Sequence, residues 1–288
     1  MKTVKRIVFI TLSCLVSVCM QAQMVINITN QDETVNAESI DKALFTVQYE
    51  MTMLNDTLKP ENRKEETMML TVGKTSSRFF SYSKHMADSL LAEAQANNAS
   101  QEMMVEIMKQ YVPKVTYQLF KNYPSGKVTT LDRLAMSNFR CEEENERPEW
   151  EILPDTGTIA SYPCQKAVCR FKGREYEAWF TTEIPRGEGP WKLYGLPGLI
   201  LKAADTRGHY TFECTAIHQA AGEDILFPGK EYEPVKRKDL NKIYERYAMD
   251  PVGFITSMAP NVTVKIRTQD GQSMKNPKNM PYNPIETE

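Results

Sequence analysis

Cys141, Cys164, Cys169 and Cys214 are the side chains in this sequence best suited to forming covalent or metal bonds. In an oxidising compartment four cysteines form up to two disulfides, and three connectivities stay open. Four residues separate Cys164 from Cys169, the upper edge of structural-zinc spacing, and only His209 and His218 flank Cys214. The compartment argued below favours disulfides or inert thiols over a metal site.

Other reactive residue types are scattered. The three histidines, His85, His209 and His218, match no zinc-protease helix motif. The sequence has no Gly-x-Ser-x-Gly elbow, no Walker loop and no dinucleotide fingerprint. Glu177, Glu183 and Glu188 could pair as acid and base, but carboxylates at such spacings are common in a charged chain and read as solvated. Sixteen methionines include Met103, Met104 and Met108, whose thioethers would suit copper(I). Met104 and Met108 fall on one helical stripe, so they read as packing or as the lining of an adaptable apolar cavity. No cofactor and no metal is expected.

Trp179, Trp191 and Tyr194 are the aromatic candidates for a binding wall, with core packing as the competing role. They surround the run Gly187 to Leu201, where glycines and prolines precede the apolar Leu199-Ile200-Leu201. Pro197 has a fixed φ and Gly198 tolerates positive φ, so Leu196 to Leu199 predicts a type II turn that sets where the next strand begins. Gly195, Pro197 and Gly198 are therefore the structural motif.

The elements positioning these residues are mostly strands. Phe45, Val47, Tyr49, Met51 and Met53 alternate with more polar neighbours, the mark of a half-buried antiparallel strand. Residues 66–72 and 76–82 predict a hairpin around Gly73. Helical spacing begins at Ser83 and resumes after Ser100, both placed to cap, and Pro113 stops the second helix. Short strands return over 114–123, 127–135, 138–141, 150–153, 165–171 and 174–182, and 209–217 pairs back onto 199–204. Leu240, Ile243, Tyr244 and Tyr247 mark a helix ending near Pro251. The fold class is α+β and mainly antiparallel β: a strongly curved sheet or incomplete β-barrel, its concave face covered by the inserted helices.

Residues 1–22 carry a basic start, an apolar run too short for a bilayer and a small residue at the end, which predicts a secretory signal peptide. Met24 to Thr29 is a short alternating segment, residues 23–259 form one domain, and 260–288 read as a loosely ordered tail. The formal net charge of −2 shifts further negative without Lys2, Lys5 and Arg6. No basic stripe suits nucleic acid, and no later segment is long enough to span a membrane.

Gly195 to Ile200 spells Gly-Leu-Pro-Gly-Leu-Ile. Upstream stand Tyr162-Pro163-Cys164, Phe171-Lys172-Gly173-Arg174-Glu175-Tyr176 and Ala178 to Pro185, and Asn283-Pro284-Ile285-Glu286 closes the chain. On these residues the chain resembles the GLPGLI family of exported bacterial proteins, with Tyr194 where the family commonly has glycine. The resemblance implies a periplasmic envelope protein of Gram-negative bacteria, often encoded near outer-membrane receptors, with no established activity. The family's strand pattern is similar to the open barrels of periplasmic lipoprotein carriers. The expected function is a non-enzymatic module binding a lipid, another apolar ligand or an outer-membrane receptor. A hydrolase without a recognisable motif and a receptor-complex scaffold are the alternatives.

Overall fold

The structure, a computed structural model, describes residues 6–9, 36–259, 262–265 and 275–287. Most of the expected leader and the segment 24–29 lie outside the described residues. The chain divides into two compact units.

Strands are numbered in chain order from β1 (Arg6–Phe9), which pairs in parallel with β16 (Val262–Lys265) in the smaller unit. That unit also holds helix α3 (Arg237–Met249) from its second residue on, and α4 (Pro251–Met258). α3 ends at Met249, in keeping with the expected end near Pro251, and Pro251 itself begins a further helix. It opens α4 in the first turn, where its missing N–H costs nothing, and the Asp250 side chain accepts from Gly253 N.

The larger unit takes in Asn30–Arg133, Asn138–Arg237 and Asn283–Glu288. Its small sheet pairs β2 (Glu38–Lys42) with β14 (Asp224–Phe227). Its main sheet has twelve strands. The first half contributes β3 (Phe45–Met53), β4 (Lys64–Val72), β5 (Ser77–Ser81), β6 (Gln118–Lys121), β7 (Lys127–Leu134) and β8 (Ser137–Glu144). The second half contributes β9 (Glu151–Ile159), β10 (Tyr162–Phe171), β11 (Arg174–Thr181), β12 (Leu199–Asp205), β13 (Tyr210–Gln219) and the short β15 (Glu233–Pro234). The order is β15-β8-β7-β6-β5-β4-β3-β13-β12-β11-β10-β9. Every pairing described within it is antiparallel except β15 with β8. The terminal strands β9 and β15 do not pair with each other, so the sheet is not closed into a barrel.

Alternation decides the faces. The odd-numbered residues of β3 are all buried and the even ones half-exposed, as period two requires. β4, β5, β10, β11, β12 and β13 add Leu70, Phe79, Ala167, Tyr176, Ala203 and Phe212 to the same apolar cluster. No residue of α1 (Tyr82–Ala96) or α2 (Gln101–Gln110) belongs to that cluster. The expectation that these helices fill the inner face is thus corrected. α1 packs on β4 and β5, and His85 meets Phe80, the residue facing away from the buried Phe79. It is capped by Ser81, two residues before the Ser83 expected, while Ser100 caps α2 as read.

The disulfide expectation is also overturned: Cys141, Cys164, Cys169 and Cys214 are all free and buried. Cys164 and Cys169 share β10, where five residues span about 16 Å, far beyond the Cα separation a disulfide bridges. Cys141 lies on β8, with Arg237, Glu143, Lys192 and Glu286 as its charged neighbours. Burial pushes the Cys169 thiol up to about 12 and Cys214 to about 11, and raises Cys141 and Cys164 too. With so little thiolate these side chains are inert. In a chain lacking residues 1–22, a thiol reagent at neutral pH should modify none of the four until denaturant is added, then all four.

Candidate functional site

The loop between β11 and β12, residues 182–198, supplies what the helices do not. It folds on itself through Leu193 N to Pro190 O (3.0 Å), Gly195 N to Gly187 O (2.7 Å) and Ile200 N to Glu188 O (2.9 Å). Trp191 takes a positive φ of 51°, costly for a bulky residue and tolerated here because its ring is driven inward. That ring is 1% exposed and lies 6.0 Å from the rings of both Phe171 and Tyr176. Leu193 and Leu196 join it, so the inner apolar cluster is plugged by the chain's own loop.

The turn differs from the one the sequence predicts. Gly195 has a φ of +94°, whereas Gly198 is not among the positive-φ glycines. Gly198 is required for space: a Cβ there would sit 1.9 Å from the Thr181 carbonyl oxygen. Backbone cannot yield as a flexible side chain can. Gly198→Ala should cost about 1–3 kcal/mol, as overpacking does, read as a lowered denaturant midpoint.

Charged residues line the inner side of the loop. Lys121 donates to Gly189 O (2.7 Å) and pairs with Glu188 at 2.6 Å, and Ser77 Oγ reaches Glu188 at 3.0 Å. Lys192, its side chain 4% exposed, pairs with Glu143 on β8 (2.6 Å) and with Glu286 (2.8 Å). Arg237 donates twice to Glu143 Oε2, at 2.9 and 2.7 Å. Burial alone would raise the Glu143 carboxyl, but Lys192 and Arg237 outweigh it and hold the group below its ordinary value of 4.5. A depressed folded-state pKa contributes stability above the unfolded value, which is lost as pH falls through the folded one. The denaturant midpoint should therefore drop on acidification below about pH 4.5, and Glu143→Gln should flatten that part of the profile.

Arg174, at the start of β11, is the second buried cation. Asp205 Oδ2 accepts from its Nη1 at 2.7 Å, and its guanidinium lies 4.9 Å from the Tyr210 ring centre. Its Nε and Nη2 donors go to residues 283–285, and Nη1 also lies 3.4 Å from His209 Nδ1. The tail read as loosely ordered thus includes a tightly bound segment at its end. Asn, Pro and Glu suggest a polar coil by composition, but here they satisfy buried donors.

The residues proposed from sequence do not converge. Trp191 is core. Trp179, between the buried Ala178 and Phe180, faces the other side of the sheet, against Gly157. Tyr194 is half-buried at the rim: its OH donates to Asn145 O (2.5 Å), and its carbonyl accepts from Trp150 Nε1 (2.8 Å). Met104 and Met108 are half-buried on α2 and outside the inner cluster. The histidines sit apart on α1, the β12–β13 turn and the end of β13. Among the described residues no group of three or more His, Cys, Asp or Glu is placed to hold a metal ion. No described helix is long and apolar enough to cross a membrane. Sequence reasoning missed Lys192, Arg174, Glu143, Arg237, Glu286 and Trp150. The available signal was Lys192 itself, a cation between Trp191 and Leu193.

Outside the loop, Pro148, Trp150, Ile152, Leu196 and Pro197 line a solvent-open groove of about 290 Å³. Arg147 spans it, donating to the Gly195 carbonyl. Ile152 is 44% exposed on β9, and Glu149, also exposed, shares the groove's lining.

A family model described as a protein of unknown function (Porph_ging) matches residues 170–202, from the end of β10 through the loop into β12. No curated protein matches the chain. Two solved structures of PNGF-II, in P21 and C2 crystal forms, are similar at 13% and 15% identity with TM-scores of 0.49. Each similarity covers 69% of this chain and 32% of that one, so the chain spans about a third of PNGF-II.

Proposed function

We propose that this chain is an exported envelope protein of the GLPGLI type that works by binding a protein partner, with no catalytic step. The family-model match supports the type, because it falls on the stretch that carries the resemblance. The leader-like residues 1–22 support export to the periplasm. Of the occupants the sequence leaves open, an envelope protein fits better than a lipid or another apolar ligand. The observation that carries this is the plugged inner face: Trp191, Leu193 and Leu196 already occupy the apolar volume an acyl chain would need.

The reading takes the sheet to be strongly curved. Glu143 on β8 and Arg174 on β11 are eight positions apart in strand order, about 38 Å in a flat sheet. Yet Lys192 pairs with Glu143 and Glu286, and Arg174 donates to Ile285, the residue next to Glu286. These contacts support a sheet that curves around the loop.

The partner meets the outside of the turn, where Trp150, Ile152 and Pro197 form an apolar groove whose lining also holds one carboxylate, Glu149, and one cation, Arg147. That lining suits an extended segment with one apolar anchor, presented by an outer-membrane receptor. A photocrosslinking residue placed at Ile152 in the producing cell tests it. Capture of one membrane protein, abolished by Pro197→Asp, is the expected result. Stoichiometric lipid in the purified protein, with no crosslinked product, overturns it.

A further inference from the structure

The last residues of the chain are read in sequence detail. Arg174 Nη2 donates to the Asn283 side-chain oxygen (2.8 Å) and to Pro284 O (2.5 Å), while Nε donates to Ile285 O (3.0 Å). Asn283 gives its amide to Leu54 O (2.7 Å) and accepts at its carbonyl from Tyr210 OH (2.6 Å). Lys192 takes the Glu286 carboxylate, and Thr287 bonds the Lys172 and Gly173 carbonyls, each at 3.2 Å. Asp205 and the Tyr210 ring fix the Arg174 fork before the segment is counted at all. A buried arginine with a rigid fork, a buried lysine and a backbone-reading tyrosine together make a peptide receptor.

Every group of that receptor comes from residues 54–237, Arg237 included, whose Nε lies 3.7 Å from Glu286 Oε2. The segment it holds is joined to it only through residues 238–282, which belong to the other compact unit. A receptor complementary to Asn-Pro-Ile-Glu-Thr in its own chain is, by identity, complementary to the same residues in any other copy.

We propose that this groove is a peptide-binding site whose ligand in trans is the C-terminal segment of a second copy, giving a reciprocal, segment-exchanged dimer. Such an exchange is isologous and closes with two-fold symmetry. Within one chain the tether gives the segment a high effective concentration, so exchange is favoured by folding at high protein concentration. The inference does not depend on the groove beside the turn.

The test uses a fluorescent peptide of residues 282–288 and the full chain carrying N283A and E286A, which weakens the tethered segment and leaves the receptor untouched. The peptide should bind this variant at least tenfold more tightly than it binds the unaltered chain, and a scrambled peptide should not bind. The unaltered chain refolded at high concentration should give a dimer by native mass spectrometry that excess peptide suppresses and the double variant does not form. An unaltered chain that stays monomeric at every refolding concentration overturns the proposal. So does a double variant that is folded by circular dichroism and binds no peptide. If the variant does not fold, refolding the unaltered chain with excess peptide decides alone: a chain–peptide mass supports the site and its absence overturns it.

Discussion

Trp191→Ala should lower stability by about 3–5 kcal/mol, the range for truncating a large buried aromatic. The ring is almost fully buried, and no helix from the described residues stands behind it to collapse into the space. Its neighbours Phe171 and Tyr176 would each lose an aromatic contact at 6.0 Å. The loop would lose its anchor as well, and Lys192 and Leu193 follow Trp191 directly. A guanidinium titration followed by tryptophan fluorescence measures the loss, with Trp150 and Trp179 still reporting. Trp191→Phe should recover part of it. Equal stability of Trp191→Ala and the parent would show that the loop is a surface feature and not the plug of the inner face.

How much of this was legible in the sequence depended on the distance between cause and effect. The alternation of Phe45 to Met53 is local, and the strand lies where the pattern puts it, since period two has one solution on a half-buried sheet. The need for glycine at 198 was legible, but its reason was not. The Thr181 carbonyl that excludes a Cβ is seventeen residues away and is brought in by pairing β11 with β12. The aromatic candidates were read as one wall because they are close in sequence, yet strand alternation sends Trp179 to the face opposite Ala178 and Phe180. The cluster of Glu143, Lys192, Arg237 and Glu286 draws one residue from each of four distant segments. No periodicity connects them. Composition made the last residues look loose because proline, asparagine and glutamate are coil formers, and only the buried donors waiting for them change that reading.

Arg174→Met tests those donors most severely. The Arg174–Asp205 pair is buried, at 5% and 2% side-chain exposure. Removing one partner of such a pair leaves an uncompensated charge and costs about 3–5 kcal/mol, more than the pair itself contributes. Asp205 would keep its bond from Tyr210 N (2.8 Å) but would lose its cation. Asn283 Oδ1 and the carbonyls of Pro284 and Ile285 would lose their donor in the same step. Lysine cannot substitute, because one ammonium on a flexible stem cannot reproduce a planar fork that meets Asp205 on one side and three acceptors on the other. Arg174→Lys should therefore recover less than half of the loss. Adding Asp205→Asn to Arg174→Met should recover more, since it removes the stranded charge while keeping an acceptor for Tyr210. Hydrogen exchange separates the two contributions. In Arg174→Met the Thr287 amide, bonded to Lys172 O, should exchange early, and in the double variant it should still do so even as global stability returns. A Thr287 amide as protected in Arg174→Met as in the parent would mean that Lys192 and Tyr210 hold the segment without the arginine.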